Sequence, residues 1–138
     1  MTRPLTIRER EGLRCFDLKL LPPPSVNQAF RNVPGKGRVK TRDYRIWRAN
    51  AVNAIWAQVR ADHRIAGNVA VTVHLPEKMR GDIDNRIKGI LDALVQSQRI
   101  DDDRHVTALT VRRSSPLKEA IIWVESDLGV GRGVMEVA

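Results

Sequence analysis

Residues 69–113, VAVTVHLPEKMRGDIDNRIKGILDALVQSQRIDDDRHVTALTVRR, decide how this chain folds. The run from Val69 to Leu75 is apolar and β-branched and closes at Pro76, which cannot donate to a ladder, so it reads as a strand. The period then changes. Ile83, Ile87, Ile90, Leu91, Leu94 and Val95 fall on one stripe of a helix over residues 83–98. After Asp101-Asp102-Asp103, the segment Val106–Arg113 returns to strand character.

Outward from that core, residues 14–21 alternate Cys15, Asp17 and Lys19 against Phe16, Leu18 and Leu20, the pattern of a half-buried strand. Pro22, Pro23 and Pro24 end it. A loop follows from Ser25 to Lys40, broken by Pro34-Gly35 and Gly37. Residues 41–63 are expected to be helical, with Tyr44, Trp47, Ala51, Val52, Ile55 and Val59 at helical spacing and Thr41 able to cap the start. On the far side, Ala120–Glu125 is a further strand, reached through Ser114-Ser115-Pro116. The order β, α, β, α, β, β predicts an α+β fold: a small mixed β-sheet with two packed helices in a single compact domain over residues 14–126. Residues 1–13 are set apart as an N-terminal extension, and residues 127–138, rich in glycine, as a flexible tail.

With 138 residues and 42% hydrophobic content, the chain suits one domain with one core. No stretch approaches the roughly 20 apolar residues of a membrane span. The N-terminus lacks the apolar core of a secretory signal. The lone Cys15 has no internal partner for a disulfide, which points to a reducing, cytoplasmic setting. The formal charge of +8, with a pI near 10.5, suggests a polyanionic partner, most often nucleic acid. The charge is unevenly spread. Residues 31–48 carry a net +6, whereas residues 82–103 hold six aspartates and a net −3. Binding phosphate alone would not call for that concentration of acid.

The acids have a chemical reading and a structural one. Mg²⁺ and Mn²⁺ prefer hard oxygen ligands, commonly one or two carboxylates completed by water and substrate phosphate. A bound cation neutralises a phosphodiester, makes hydroxide available near neutral pH and supports the leaving oxygen. A nearby ammonium such as Lys88 can stabilise developing charge. On an extended backbone Asp82 and Asp84 would point the same way, while Asp84, Lys88 and Asp92 would form a polar ridge on the helix. The structural alternative makes Asp82 an N-cap, Asp84 a first-turn acid, Lys88 its ion-pair partner, and Asp101–Asp103 a solvated turn. The spacing permits the two acid groups to converge through tertiary packing.

These residues carry a resemblance. The string RGDIDNRIKGILDALVQSQRIDDDRHV closely resembles the signature of the RusA-type Holliday junction resolvases, R-x-D-x-D-N-x-x-K-x-x-x-D-x-L followed by a spacer and a D-D pair before a strand. The upstream LPPPSVNQAFR and Tyr44 resemble that family's N-terminal loop and first helix, so the likeness runs from about residue 17 to residue 125. It implies a homodimeric, metal-dependent endodeoxyribonuclease that resolves four-way junctions by symmetric paired nicks, using Mg²⁺, for which Mn²⁺ can substitute, and no organic cofactor. It also implies catalytic and metal-binding roles for Asp82, Asp84 and Asp103, with Lys88 assisting. The run of three aspartates leaves the choice between Asp102 and Asp103 open. A two-fold junction cut at matched positions suits a two-fold homodimer.

The basic stretch supplies candidate DNA contacts: Asn27, Arg31, Lys36, Arg38, Lys40 and Arg42, with Gly35 and Gly37 allowing close approach. Trp47 and Trp56 read as core or dimer contacts rather than stacking platforms. His63, His74 and His105 share no metal-ligand spacing. Two alternatives remain beside the resolvase: a non-cleaving DNA-binding or recombination accessory protein of the same fold, and a less selective branched-DNA nuclease.

Overall fold

The computed structural model describes residues 14–24 and 30–127. Its centre is the strand–helix–strand unit of residues 69–115. Strand β4 (Val69–Pro76) runs parallel to β5 (Val106–Ser115), with Thr72 opposite Thr110 and Leu75 opposite Arg113. Helix α2 (Ile87–Gln96) connects them. Parallel neighbours need such a crossover, because the chain must return to the starting end of the sheet before the second strand begins.

Strand β6 (Ala120–Ser126) lies antiparallel on the other side of β4, and β1 (Cys15–Leu20) lies antiparallel to β6. The four-stranded sheet is therefore mixed, in the order β1-β6-β4-β5. The alternation in β1 holds: Phe16, Leu18 and Leu20 are buried while Cys15, Asp17 and Lys19 face solvent. Helix α1 (Arg42–Gln58) packs against β1 and α2 and buries Tyr44, Ala51, Val52 and Ile55. Ile90, Ala93 and Leu94 of α2 join Val71 and Val73 of β4 and Ile122 and Val124 of β6 in one core. The expected α+β architecture, with two helices and a small mixed sheet, is what forms.

Four local features differ from the sequence reading. The loop at 25–40 contains an antiparallel hairpin, β2 (Phe30–Val33) with β3 (Gly37–Lys40), turning at Pro34–Lys36. Gly35 and Gly37 have φ of 79° and 74°, a region a β-carbon disfavours, so the breakers make the turn rather than ending structure. The first helix stops at Gln58, and residues 61–63 form a separate 3-10 turn. The second helix starts later than expected: Asp84–Arg86 make a 3-10 turn, and the α-helix begins at Ile87. Asp127, assigned to the tail, is tied in, its amide bonded to Asn68 O at 2.9 Å and its carboxylate accepting from the Thr107 hydroxyl at 2.5 Å. The N-terminal extension, Asn27 and residues 128–138 lie outside the described residues.

Candidate active site

The loop from β4 to α2 carries the first acid group. Arg113, near the end of β5, holds that loop by donating to Met79 O at 2.7 Å and to Gly81 O. Arg86 fastens its other side, donating to Pro23 O at 2.7 Å and Arg80 O at 3.1 Å. Gly81, at φ 91°, makes the bend. Asp82 and Asp84 follow at once, both exposed. Ile83 between them is in the right-handed helical region, and Asp84 opens a 3-10 turn. The two-residue alternation of an extended chain therefore does not apply to this pair.

One turn into α2, Lys88 is exposed and pairs with Asp92 at 3.8 Å, not with Asp84. The carboxylate of Asp92 also accepts a 2.5 Å hydrogen bond from the Tyr44 hydroxyl. Burial of the ring raises the Tyr44 pKa well beyond its ordinary value, and the bond to the Asp92 carboxylate raises it further. Lys40 and Arg48 each stand 5.8 Å from the centre of the same ring, within range of cation–π attraction. Tyr44 thus links the foot of the basic hairpin to the helix that bears Lys88. Of the other expected DNA contacts, Arg31 and Lys36 project exposed from the hairpin, Arg38 lies in β3, and Arg42 opens α1. The linking role of Tyr44 and the clamp by Arg113 were not visible in the sequence, since each depends on residues more than thirty positions away.

The second acid group sits elsewhere. Asp101 accepts from the Gly67 amide at 2.9 Å and pairs with Arg64, fastening the approach to β4. The Gly67 hydrogen bond chiefly, and the Arg64 charge with it, hold its carboxyl below the usual range. Asp102 caps the 3-10 turn Asp103–His105, accepting from the Arg104 amide at 3.1 Å. That bond chiefly, with the Arg104 guanidinium 3.9 Å away, lowers its pKa as well. Asp103 is exposed at the head of the turn.

Asp82 and Asp84 stand at the C-terminal end of β4, and Asp101–Asp103 precede the N-terminal end of β5. These are opposite ends of two parallel strands. Among the described residues, no three His, Cys, Asp or Glu side chains come together to hold a metal ion. The convergence that the spacing permitted is not made within one chain, because the parallel crossover carries the backbone the full length of the sheet between the two acid groups. A single copy brings Asp82 and Asp84 onto one loop and adds no third acid beside them among the described residues.

The remaining candidates have structural partners. The Trp47 indole donates to Leu21 O at 2.9 Å, and that of Trp56 to Ser97 O at 3.0 Å. His74 meets Trp123 edge-on, and His105 faces Asn68 Oδ1 at 3.4 Å. No helix among the described residues is long and apolar enough to cross a membrane.

An α+β domain with a basic hairpin linked through Tyr44 to a helix whose start presents acids and a lysine has the surface of a protein that handles a polyanion. The profile of the endodeoxyribonuclease RusA family matches residues 20–125, and the chain belongs to that family. No curated protein matches it as a relative. Membership places the chain among endonucleases that act on Holliday junctions, and nucleases of this family are generally dependent on a divalent metal.

Proposed function

We propose that this protein is a metal-dependent endodeoxyribonuclease that works as a homodimer and resolves four-way DNA junctions by symmetric paired nicks. The observation that carries the reading is the placement of Asp82, Asp84 and Lys88, all inside the family-matched segment, on an exposed and firmly clamped loop and helix start. Two arginines pin that loop by four backbone carbonyl contacts, and such a fixed backbone is what a reacting centre needs if positioning is to contribute to rate. Asp103 is the favoured third acid. Asp101 and Asp102 are each engaged in holding local backbone, whereas Asp103 caps nothing and binds no cationic side chain among the described residues. Mg²⁺ is the proposed ion, with Mn²⁺ as a substitute. Arg31, Lys36, Arg38, Lys40 and Arg42 are proposed to bind phosphates, with Asn27 beside them on the chain.

The test offers labelled four-way junction and matched linear duplex to the protein with Mg²⁺, with Mn²⁺ and with EDTA. Symmetric nicks should appear in the junction alone and only with metal. Asp82→Asn should abolish nicking and leave junction binding intact, since it removes a negative charge facing DNA. Normal cutting by Asp82→Asn, Asp84→Asn and Asp103→Asn alike would overturn the assignment. The separation of the acids within one chain favours a second reading, a non-cleaving DNA-binding protein of the same fold. That reading predicts binding without nicks in every metal.

A further inference from the structure

Helix α1 seats two aromatic rings against the first turns of α2. Thr41 caps α1 and accepts from the Tyr44 amide at 3.3 Å, which fixes the backbone that carries the first ring. Trp47, three residues on, stacks on Tyr44 with ring centroids 6.1 Å apart, and its indole donates to Leu21 O. The same indole lies so close to Gly89 that a β-carbon there would stand 3.3 Å from it. The stretch Lys88–Asp92 therefore meets α1 through a packed aromatic pair rather than through mobile side chains.

Within that stretch each oxygen of Asp92 has its own partner. Oδ2 accepts from the Tyr44 hydroxyl at 2.5 Å, and Oδ1 lies 3.8 Å from Lys88 Nζ. A carboxylate held at one oxygen cannot turn the other away. Burial raises the Tyr44 pKa, so at neutral pH the hydroxyl keeps its proton and donates it to this bond. At 3.8 Å the lysine contact is a charge pair longer than a hydrogen bond, so the three ammonium donors stay uncommitted to Asp92.

The ion pair alone explains little of this arrangement. Lys88 is more than half exposed, and an exposed pair holds a flexible lysine only weakly. Lysine before acid is also the less favourable order on a helix. The favourable order would pair Lys88 with Asp84, four residues earlier. The 3-10 turn at Asp84–Arg86 takes Asp84 off the helical register, and the lysine goes to the acid that the tyrosine has fixed. Among the described residues no ion pair joins Lys88 to Asp82 or Asp84, so both carboxylates stay clear of the ammonium.

We propose that Asp92 and Tyr44 are positioning residues for Lys88, the tyrosine fixing the carboxylate and the carboxylate steadying the ammonium four residues beyond Asp84. The proposal rests on the nuclease reading above and adds to it the two residues that aim the lysine. Neither touches the reacting atoms. A cation already in place when charge develops on the phosphate does not have to be brought there during the reaction. A steadied lysine therefore contributes to rate where a wandering one does not.

Asp92→Asn separates charge from fold, because its amide oxygen still accepts from Tyr44 while the attraction for Lys88 is lost. With enzyme in excess over labelled junction and Mg²⁺ present, Asp92→Asn should nick about ten- to a hundredfold more slowly, while junction affinity in EDTA does not weaken. Tyr44→Phe should slow nicking less, since it removes one hydrogen bond and no charge. Lys88→Ala/Asp92→Asn should cut no slower than Lys88→Ala, because no lysine is left to position. In the free protein, without metal or DNA, ¹³C relaxation at Lys88 Cε should show a more mobile side chain in Asp92→Asn than in wild type. A wild-type rate in Asp92→Asn, a further slowing in the Lys88→Ala background, or an unchanged Lys88 mobility overturns the proposal. A wild type that leaves junctions whole in every metal removes the nuclease reading itself, and the positioning role with it. A cutting wild type with an unaffected Asp92→Asn removes only the positioning role.

Discussion

Tyr44 is the chain's one tyrosine, so its ionisation can be followed without interference from another phenol. Its hydroxyl donates to a carboxylate from a buried ring, and both circumstances oppose the phenolate. Because the folded pKa is raised, the stabilisation is complete below the ordinary tyrosine range and is lost as pH climbs through it. Tyrosinate absorbance is therefore expected to appear only together with alkaline unfolding, and a reversible phenolate in the folded protein would contradict the contact. Tyr44→Phe leaves the half-buried Asp92 without its hydroxyl donor and should cost about 1–2 kcal/mol in urea unfolding. Asp101 has the opposite sign. Its carboxyl is held low by Gly67 and Arg64, so the ionised form stabilises the fold above the ordinary carboxylate range, and the gain is lost as pH falls through the lowered value. Asp101→Ala should cost on the order of 1 kcal/mol at neutral pH through the lost hydrogen bond to Gly67, and the difference from wild type should shrink in acid.

At the scale of elements, strands β1, β4 and β6 and the cap of α1 were legible because each signal is local. Phe16, Leu18 and Leu20 alternate, Pro76 ends β4, and Thr41 accepts from the Tyr44 amide at 3.3 Å. The hairpin Phe30–Lys40 was not, since its strands are four residues long and carry arginine and lysine where an apolar alternation would mark them. The later start of α2 follows from residues 83–86, where a 3-10 turn sets the stripe's first isoleucine outside the helix proper. Gly89 gives a sharp test of this packing. A β-carbon there would stand 2.9 Å from Pro23 Cβ and 3.3 Å from the Trp47 ring. Alanine is the better helix former by about 1 kcal/mol, yet Gly89→Ala should destabilise by about 1–3 kcal/mol, because a proline ring cannot swing aside. A gain in stability would show that α2 and the Pro22–Pro24 segment are not in contact.

For the whole molecule, the sequence made the components of the candidate site readable but not their assembly. The motif around Asp82, Asp84 and Lys88 and the acids before β5 stand out as letters. Their placement at opposite ends of two parallel strands depends on the direction of β5, which no spacing encodes. The basic hairpin raises a further expectation. Its cations should bind junction phosphates, so the logarithm of the binding constant should fall linearly with the logarithm of salt concentration. Arg31→Ala and Lys36→Ala should each reduce that slope by about 1 while leaving structural preference unchanged. Unaltered slopes in both variants would move the phosphate contacts off the hairpin.

The side-chain amide of Gln58 accepts from Lys19 N and donates to Lys19 O, both at 2.8 Å, on the outer margin of β1. With those backbone groups stoppered, a strand from another molecule finds nothing at Lys19 to pair with. Opening the stopper with Gln58→Ala should make that margin adhesive, visible as concentration-dependent turbidity in a protein that otherwise stays clear.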